Sequence, residues 1–176
     1  MDFFEIVRKR YSHKEKFLSD PVPLHDLELI AEAGLAAPSG MNRQCVRLII
    51  LPDRDALQPL CDVAPTDGLH TAPAAIVLLT DSFIQNDKFN FEMEDYAAAT
   101  ENMLLAAVAL GYASLWLDSP YFPGDKEKAA LATLGVPAGY RLRVVLPIGK
   151  PDGTGSRREK LPFNERVSYR RFDESV

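Results

Sequence analysis

The sequence predicts an α+β fold in a single domain covering residues 1–176. Three observations predict it. Apolar residues recur with helical period in some stretches and in short strand-like runs in others, without the regular alternation of a doubly wound sheet. No internal repeat and no linker-like stretch divides the 176 residues. The chain is 47% apolar and 26% charged, the balance of a globular domain long enough to enclose a core.

The first helix is expected to start at Asp2, which has the spacing of a capping box with Glu5; Phe3, Ile6, Val7 and Arg10 then fall at helical intervals. Residues 8–16 are basic and polar, and Asp20-Pro21-Val22-Pro23 is an extended turn. A second helix is expected over 25–37, with Leu27, Ile30, Ala31, Gly34 and Leu35 on one face, and Pro38 ends it. Residues 38–44 read as a loop, 46–51 as a strand and 54–61 as a short helix. A loop through Pro65, Asp67 and Gly68 leads to an apolar strand at 74–80, and 81–93 is irregular.

The clearest helix is 94–110, alanine-rich and so expected to pack closely on at least two sides, with Gly111 as its stop. Glu92, Glu94 and Asp95 suit the positive end of its dipole. Residues 114–117 look like a brief strand, and 125–134 a helix closed by Gly135 and Pro137. The last strand, 140–148, carries Tyr140, Leu142, Val144, Leu146 and Ile148 on one side and Arg141, Arg143, Val145 and Pro147 on the other. From Pro151 the chain is rich in Gly, Arg and Lys, with one apolar knot at Leu161-Pro162-Phe163.

A net charge of -5 argues against nucleic acid as a partner. No apolar run approaches the ~20 residues that span a bilayer. The longest candidate, 104–117, is interrupted by Gly111, Tyr112 and Ser114. Acidic Asp2 and Glu5, followed by a basic cluster, do not make a signal peptide, so a cytoplasmic protein without membrane association is expected. Cys45 and Cys61 form neither a disulfide framework nor a C-x-x-C pair, and Cys45 reads as a core thiol. His13, His25 and His70 stand apart from each other and from carboxylate clusters, so no metal site is expected. There is no G-x-S-x-G and no G-x-G-x-x-G; Gly153-Thr154-Gly155-Ser156 lacks the G-K-[ST] ending of a phosphate loop.

Three clusters remain. In Arg10-Tyr11-Ser12-His13-Lys14, a guanidinium, a hydroxyl and an ammonium within five residues can converge on one phosphate, or simply complete a helix C-terminus in water. Residues 36–44, Ala-Ala-Pro-Ser-Gly-Met-Asn-Arg-Gln, offer close backbone approach and carboxamides to a flat polar heterocycle, or form an ordinary turn. Arg157-Arg158-Glu159-Lys160 suits a phosphate or a solvated tail.

Taken in order, these segments resemble the nitroreductase family of FMN-dependent oxidoreductases. Residues 10–14 are similar to R-[RH]-S-x-[RK], and 37–44 to A-P-S-x-x-N-x-Q. Residues 94–111 resemble the family's core helix, and Leu146-Pro147-Ile148-Gly149-Lys150-Pro151 with Arg158-Glu159-Lys160-Leu161-Pro162-Phe163 close the pattern. The resemblance implies a mainly antiparallel central sheet flanked by helices, in an intertwined homodimer with FMN at the subunit interface and the tail, about 151–176, packing on the partner. Arg10, Ser12 and Lys14 would hold the FMN phosphate or nearby oxygens, with Tyr11 contributing backbone and Arg158 and Lys160 completing the clamp. Pro38, Ser39 and Gly40 would approach the flavin from the other subunit, and Asn42 would hydrogen-bond near the ring. Leu117, Asp118 and Ser119 would aim backbone N–H groups at it.

The sequence departs from the family pattern at Tyr11, at Cys45-Val46 and at Ser119, and the segment before the long helix is too short for a substrate-covering insertion. The implied activity is NAD(P)H oxidation by a ping-pong scheme. Hydride passes through flavin N5 to an electron-poor acceptor such as a nitroaromatic or quinone, with no catalytic side chain required. Alternatives are a flavin-binding or regulatory module without turnover, or a specialised flavin reaction on the same fold.

Overall fold

The computed structural model describes residues 1–81, 90–118, 121, 124–155 and 157–172. Its sheet consists of β1 (Val46–Leu51), β2 (Ala74–Asp81), β3 (Ala113–Ser114) and β4 (Tyr140–Gly149), in the order β1-β2-β4-β3. Every neighbouring pair is antiparallel. Around it lie α1 (Phe3–Lys9), α2 (Leu24–Leu35), α3 (Arg54–Val63), α4 (Asp67–Thr71), α5 (Glu92–Ala109) and α6 (Asp125–Thr133).

β2 is buried along its whole length because both faces of the sheet are covered. Ala75, Val77 and Leu79 point to a layer formed with Leu57, Leu60, Leu69 and Ala130 of α3, α4 and α6. The alternate residues Ala74, Ile76 and Leu78 point to the layer of α2 and α5, with Leu27, Ile30, Met103 and Ala107. α2 and α5 lie close together at Gly34: a Cβ there would stand 2.7 Å from Met103 Cγ. Leu35, expected on the same apolar face, is instead exposed at the helix end.

Several sequence expectations are corrected. Only half of the capping box forms: Asp2 Oδ1 accepts from the Glu5 N–H at 3.0 Å, while the Glu5 carboxylate pairs with Lys9 at 2.7 Å. The stretch expected to be a loop after α3 contains α4, capped by the Thr66 hydroxyl. The strand expected over 114–117 is two residues of β3, with an isolated bridge from Leu117 to Val145. The simple alternation expected in β4 breaks at a bulge. Leu78 faces Val144 and Leu79 faces Leu142, so Arg143 is the extra residue. Leu142 therefore joins Val145 on the α3–α6 side, while Val144, Leu146 and Ile148 serve the α2–α5 side.

The acids at the start of α5 also have tertiary roles. Glu92 is buried and accepts from the Thr80 hydroxyl and from Arg143 Nε, the latter at 2.7 Å. Asp95 is buried too, and bonds across the fold to residues 40 and 45. Only Glu94 stays exposed as a helix-end charge.

Candidate functional site

Arg10 leaves α1 in extended backbone and Ser12 bridges to Ser114; Arg10, Ser12 and Lys14 alternate in sequence with Tyr11 and His13, whose side chains meet each other. His13 is fully buried. Its Nε2 lies 2.8 Å from the Lys16 carbonyl oxygen and its Nδ1 3.3 Å from the Tyr11 hydroxyl. A carbonyl can only accept, so Nε2 carries a proton and donates it to Lys16. The His13 ring also meets Phe17 edge-on, centroids 4.7 Å apart. The His13 N–H donates to the Ser114 carbonyl at 3.0 Å, which ties this segment to β3. Beside that contact the Ser114 hydroxyl is buried without a hydrogen-bond partner.

On the outward side, Ser12 and Lys14 are exposed and Arg10 Nε lies 3.2 Å from Glu101 Oε1 on α5. The tail runs alongside. Pro151 bridges to Phe17, and the Asp152 N–H donates to the Lys16 carbonyl at 2.9 Å. Arg157 then donates to the Arg8 carbonyl at 2.6 Å and to the Lys9 carbonyl, capping α1. The next residue, Arg158, is exposed, as is Lys160. The structure thus brings the first and third clusters together. Sequence reasoning carried Arg158 and Lys160 forward and missed Arg157 as the anchoring cation, although it stands in the same basic run.

The second cluster sits elsewhere. Pro38 is exposed, and the Ser39 hydroxyl accepts from the Gln44 N–H at 3.0 Å. Asn42 Oδ1 accepts from Gln44 Nε2 at 3.2 Å. Met41, Asn42 and Gln44 all have left-handed backbone, with φ of 55°, 54° and 52°. The Gly40 N–H donates to Asp95 Oδ1 at 2.7 Å, and the Cys45 thiol donates to Asp95 Oδ2 at 3.5 Å. A Cβ on Gly40 would stand 2.4 Å from the Phe91 ring, so this glycine is required by packing within its own chain. A cleft of about 160 Å³ lies behind the loop, lined by Leu35, Pro38, Ser39, Gln44, Arg47 and Asp95 among others. Burial, reinforced by the Asp95 carboxylate, pushes the Cys45 thiol up to about 11, so it stays protonated at neutral pH.

Asp118 accepts from Trp116 Nε1 at 3.1 Å, and the Trp116 ring rests against Tyr96 with centroids 6.2 Å apart. The Leu117 N–H donates to the Val145 carbonyl at 3.1 Å and is therefore taken. Ser119 lies outside the described residues. Among the described residues, no group of three or more His, Cys, Asp or Glu side chains is placed to hold a metal ion, and no helix is long and apolar enough to cross a membrane.

One helix organises these parts. Asp95 holds the 38–44 loop, Tyr96 supports Trp116, and Glu101 pairs with Arg10. Six residues of α-helix separate Asp95 from Glu101 by about 9 Å along the axis and about 120° around it. The cationic segment and the loop therefore meet different faces of α5.

Comparison with known proteins places this geometry. The model of the nitroreductase family matches residues 7–64 and 62–150. A protein of Archaeoglobus fulgidus named "Putative NADH dehydrogenase/NAD(P)H nitroreductase" is 37% identical over 128 residues, covering 72% of this chain and 72% of its own. A crystal structure of a nitroreductase family protein from Clostridium difficile 630 superposes with a TM-score of 0.81 at 26% identity, covering 98% of this chain and 100% of that one. A "putative nitroreductase in complex with FMN" from Desulfovibrio desulfuricans superposes with a TM-score of 0.78 at 26% identity, covering 97% of each.

Proposed function

The chain belongs to the nitroreductase family, and on that premise we propose that it is an FMN-dependent oxidoreductase, working as a homodimer and oxidising NAD(P)H at the expense of a small electron-poor acceptor such as a nitroaromatic or quinone. The observation that carries the proposal is the 10–14 segment. Arg10, Ser12 and Lys14 alternate along one short stretch with Tyr11 and His13, whose mutual contact and the His13 bond to Lys16 fix it from within.

The donor set fits FMN. A phosphate monoester calls for cationic and hydroxyl donors, and these three residues supply a guanidinium, a hydroxyl and an ammonium. The unpartnered Ser114 hydroxyl adds a buried polar atom beside Ser12. In this reading Arg10, Ser12 and Lys14 bind the phosphate end, Tyr11 lends backbone there, and Arg158 and Lys160 approach from the tail. Pro38, Ser39, Gly40 and Asn42 face the ring of the other site, and Asp118 presents backbone to the ring. When bound, FMN supplies the two-electron chemistry between nicotinamide and acceptor, so no side chain needs to act as acid or base. The relatives' names, an NAD(P)H nitroreductase and an FMN complex, support this assignment.

Two observations support a site built from two copies. The cationic segment and the 38–44 loop meet different faces of α5, so each copy would give one cluster to each site. Phe3 and Phe4 of α1 and Phe163 and Phe172 of the tail are all more than 60% exposed, apolar area that a partner would cover.

The test is direct. The purified protein should be yellow, or become so with added FMN, and should oxidise NADH or NADPH when a quinone or nitroaromatic is present. A protein that stays colourless and binds no FMN would overturn the reading. Bound FMN that neither nucleotide reduces would favour a flavin-binding module without turnover.

A further inference from the structure

We propose that Asp95 is a positioning residue for the flavin-facing loop, holding residues 40–44 in the shape that meets the isoalloxazine ring. The inference rests on the reading of residues 38–44 given above. Its warrant lies in the loop's backbone. Three residues in a span of four, Met41, Asn42 and Gln44, have left-handed φ. Asn tolerates that region, whereas Met and Gln derive no local benefit from it. Such a turn keeps its shape only where its surroundings over-determine it.

Inside the loop, the Ser39 hydroxyl and the Asn42 carboxamide each take one hydrogen from Gln44. Outside it, one carboxylate reaches both ends. Asp95 Oδ1 accepts the Gly40 N–H at 2.7 Å, and Asp95 Oδ2 accepts from the Cys45 thiol at 3.5 Å. Asp95 can serve as a fixed post because it is only 5% exposed and stands in the first turn of the 18-residue α5, where the helix dipole favours a carboxylate. Its acceptance of the Gly40 N–H is a charge-assisted bond in a sheltered place, stronger than a neutral one. Gly40 is pressed against the Phe91 ring at the same point, so the loop is gripped from two directions.

The experiment measures dissociation constants for FMN and riboflavin by flavin fluorescence in the native protein, Asp95→Ala, Asp95→Asn and Arg10→Ala. A ring-facing loop acts on both flavins alike. Asp95→Ala should weaken FMN and riboflavin by the same factor, about tenfold. Asp95→Asn keeps an oxygen acceptor for the Gly40 N–H and should recover affinity to within about threefold of native. Arg10→Ala should weaken FMN alone, since riboflavin has no phosphate. If Asp95→Ala does not fold, Asp95→Ser, whose hydroxyl is too short to reach Gly40, takes its place in the comparison. Affinities unchanged in Asp95→Ala, a loss confined to FMN, or an Asp95→Asn as weak as Asp95→Ala would overturn the inference while leaving the FMN site intact. A merely structural Asp95 would lower the melting temperature of these variants with flavin affinity unmoved. Native protein that binds neither flavin would overturn the underlying reading instead.

Discussion

The Arg157 guanidinium carbon lies 5.2 Å from the centre of the Tyr11 ring, while its terminal nitrogens donate to the Arg8 and Lys9 carbonyls. One side chain from the tail thus closes the end of α1 and covers the aromatic residue that orients His13. Arg157→Ala should lower stability by about 0.5–1 kcal/mol, since the contact is exposed. It should also make the tail a preferred site of limited proteolysis. Equal cleavage of native and variant chains beyond Gly155 would show that Arg157 does not anchor the tail.

Arg10 and Glu101 set up a competition, because the cation assigned to the phosphate already has a carboxylate 3.2 Å away. Arg10→Ala should weaken FMN binding by about 1.5–3 kcal/mol, the range for a hydrogen bond to a charged group. Glu101→Gln should do the opposite and tighten FMN binding by about two- to fivefold, because it frees the guanidinium and removes a like charge near the anion. Fluorescence titration at low and at high salt reads both effects. An unchanged affinity in Arg10→Ala would remove Arg10 from the site.

Buried Glu92 and partly buried Arg143 form an ion pair joined by Thr80. Arg143→Met strands a carboxylate inside the fold and should cost about 3–5 kcal/mol in urea unfolding. The double variant Glu92→Gln with Arg143→Met should recover a substantial part of that loss. Additive losses in the two single variants would mean that the residues are not coupled.

Alkaline titration should destabilise the protein in two stages. Burial and the Asp95 carboxylate raise Cys45 from 9.0 to about 11, and burial and Asp26 raise Tyr112 from 10.0 to about 12. Each group binds its proton more tightly folded than unfolded. Each contribution is therefore complete below the unfolded value and is lost as pH rises through the folded one. The urea midpoint should hold steady up to about pH 9 and fall between about 9 and 12. Cys45→Ala should reduce the lower part of that fall, which buried Cys61 shares, and Tyr112→Phe the upper part, which buried Tyr121 shares. A midpoint independent of pH over this interval would contradict both assignments.

How much of this was legible in the sequence depended on range. Leu27, Ile30, Ala31 and Gly34 announce α2 because a helix carries its own period, and all four are buried. Arg10, Ser12 and Lys14 were legible as a group because they stand within five residues of one another. α4 was not. Its five residues follow a proline and contain Gly68, and Arg54 of α3 holds it by donating to the Leu69 and Ala72 carbonyls at 3.0 and 3.1 Å. Nothing local marked Asp95 as different from Glu94. The distinction is made by Gly40 and Cys45, 55 and 50 positions earlier in the chain.

The extra residue in β4 has a consequence of its own. Ahead of Arg143 the strand sends Leu142 into one layer; beyond it, Val144 goes to the other and ordinary alternation resumes. Arg143 is therefore a phase marker as well as half of an ion pair. Deleting it would not leave a gap where a side chain had been. It would make Leu142 and Val144 neighbours that still face Leu79 and Leu78, so each keeps its layer and the ladder runs on without its bulge. A missing codon there would act as a struck comma acts on a sentence: every letter keeps its side, and only the pause, with the cation that pairs Glu92, is lost.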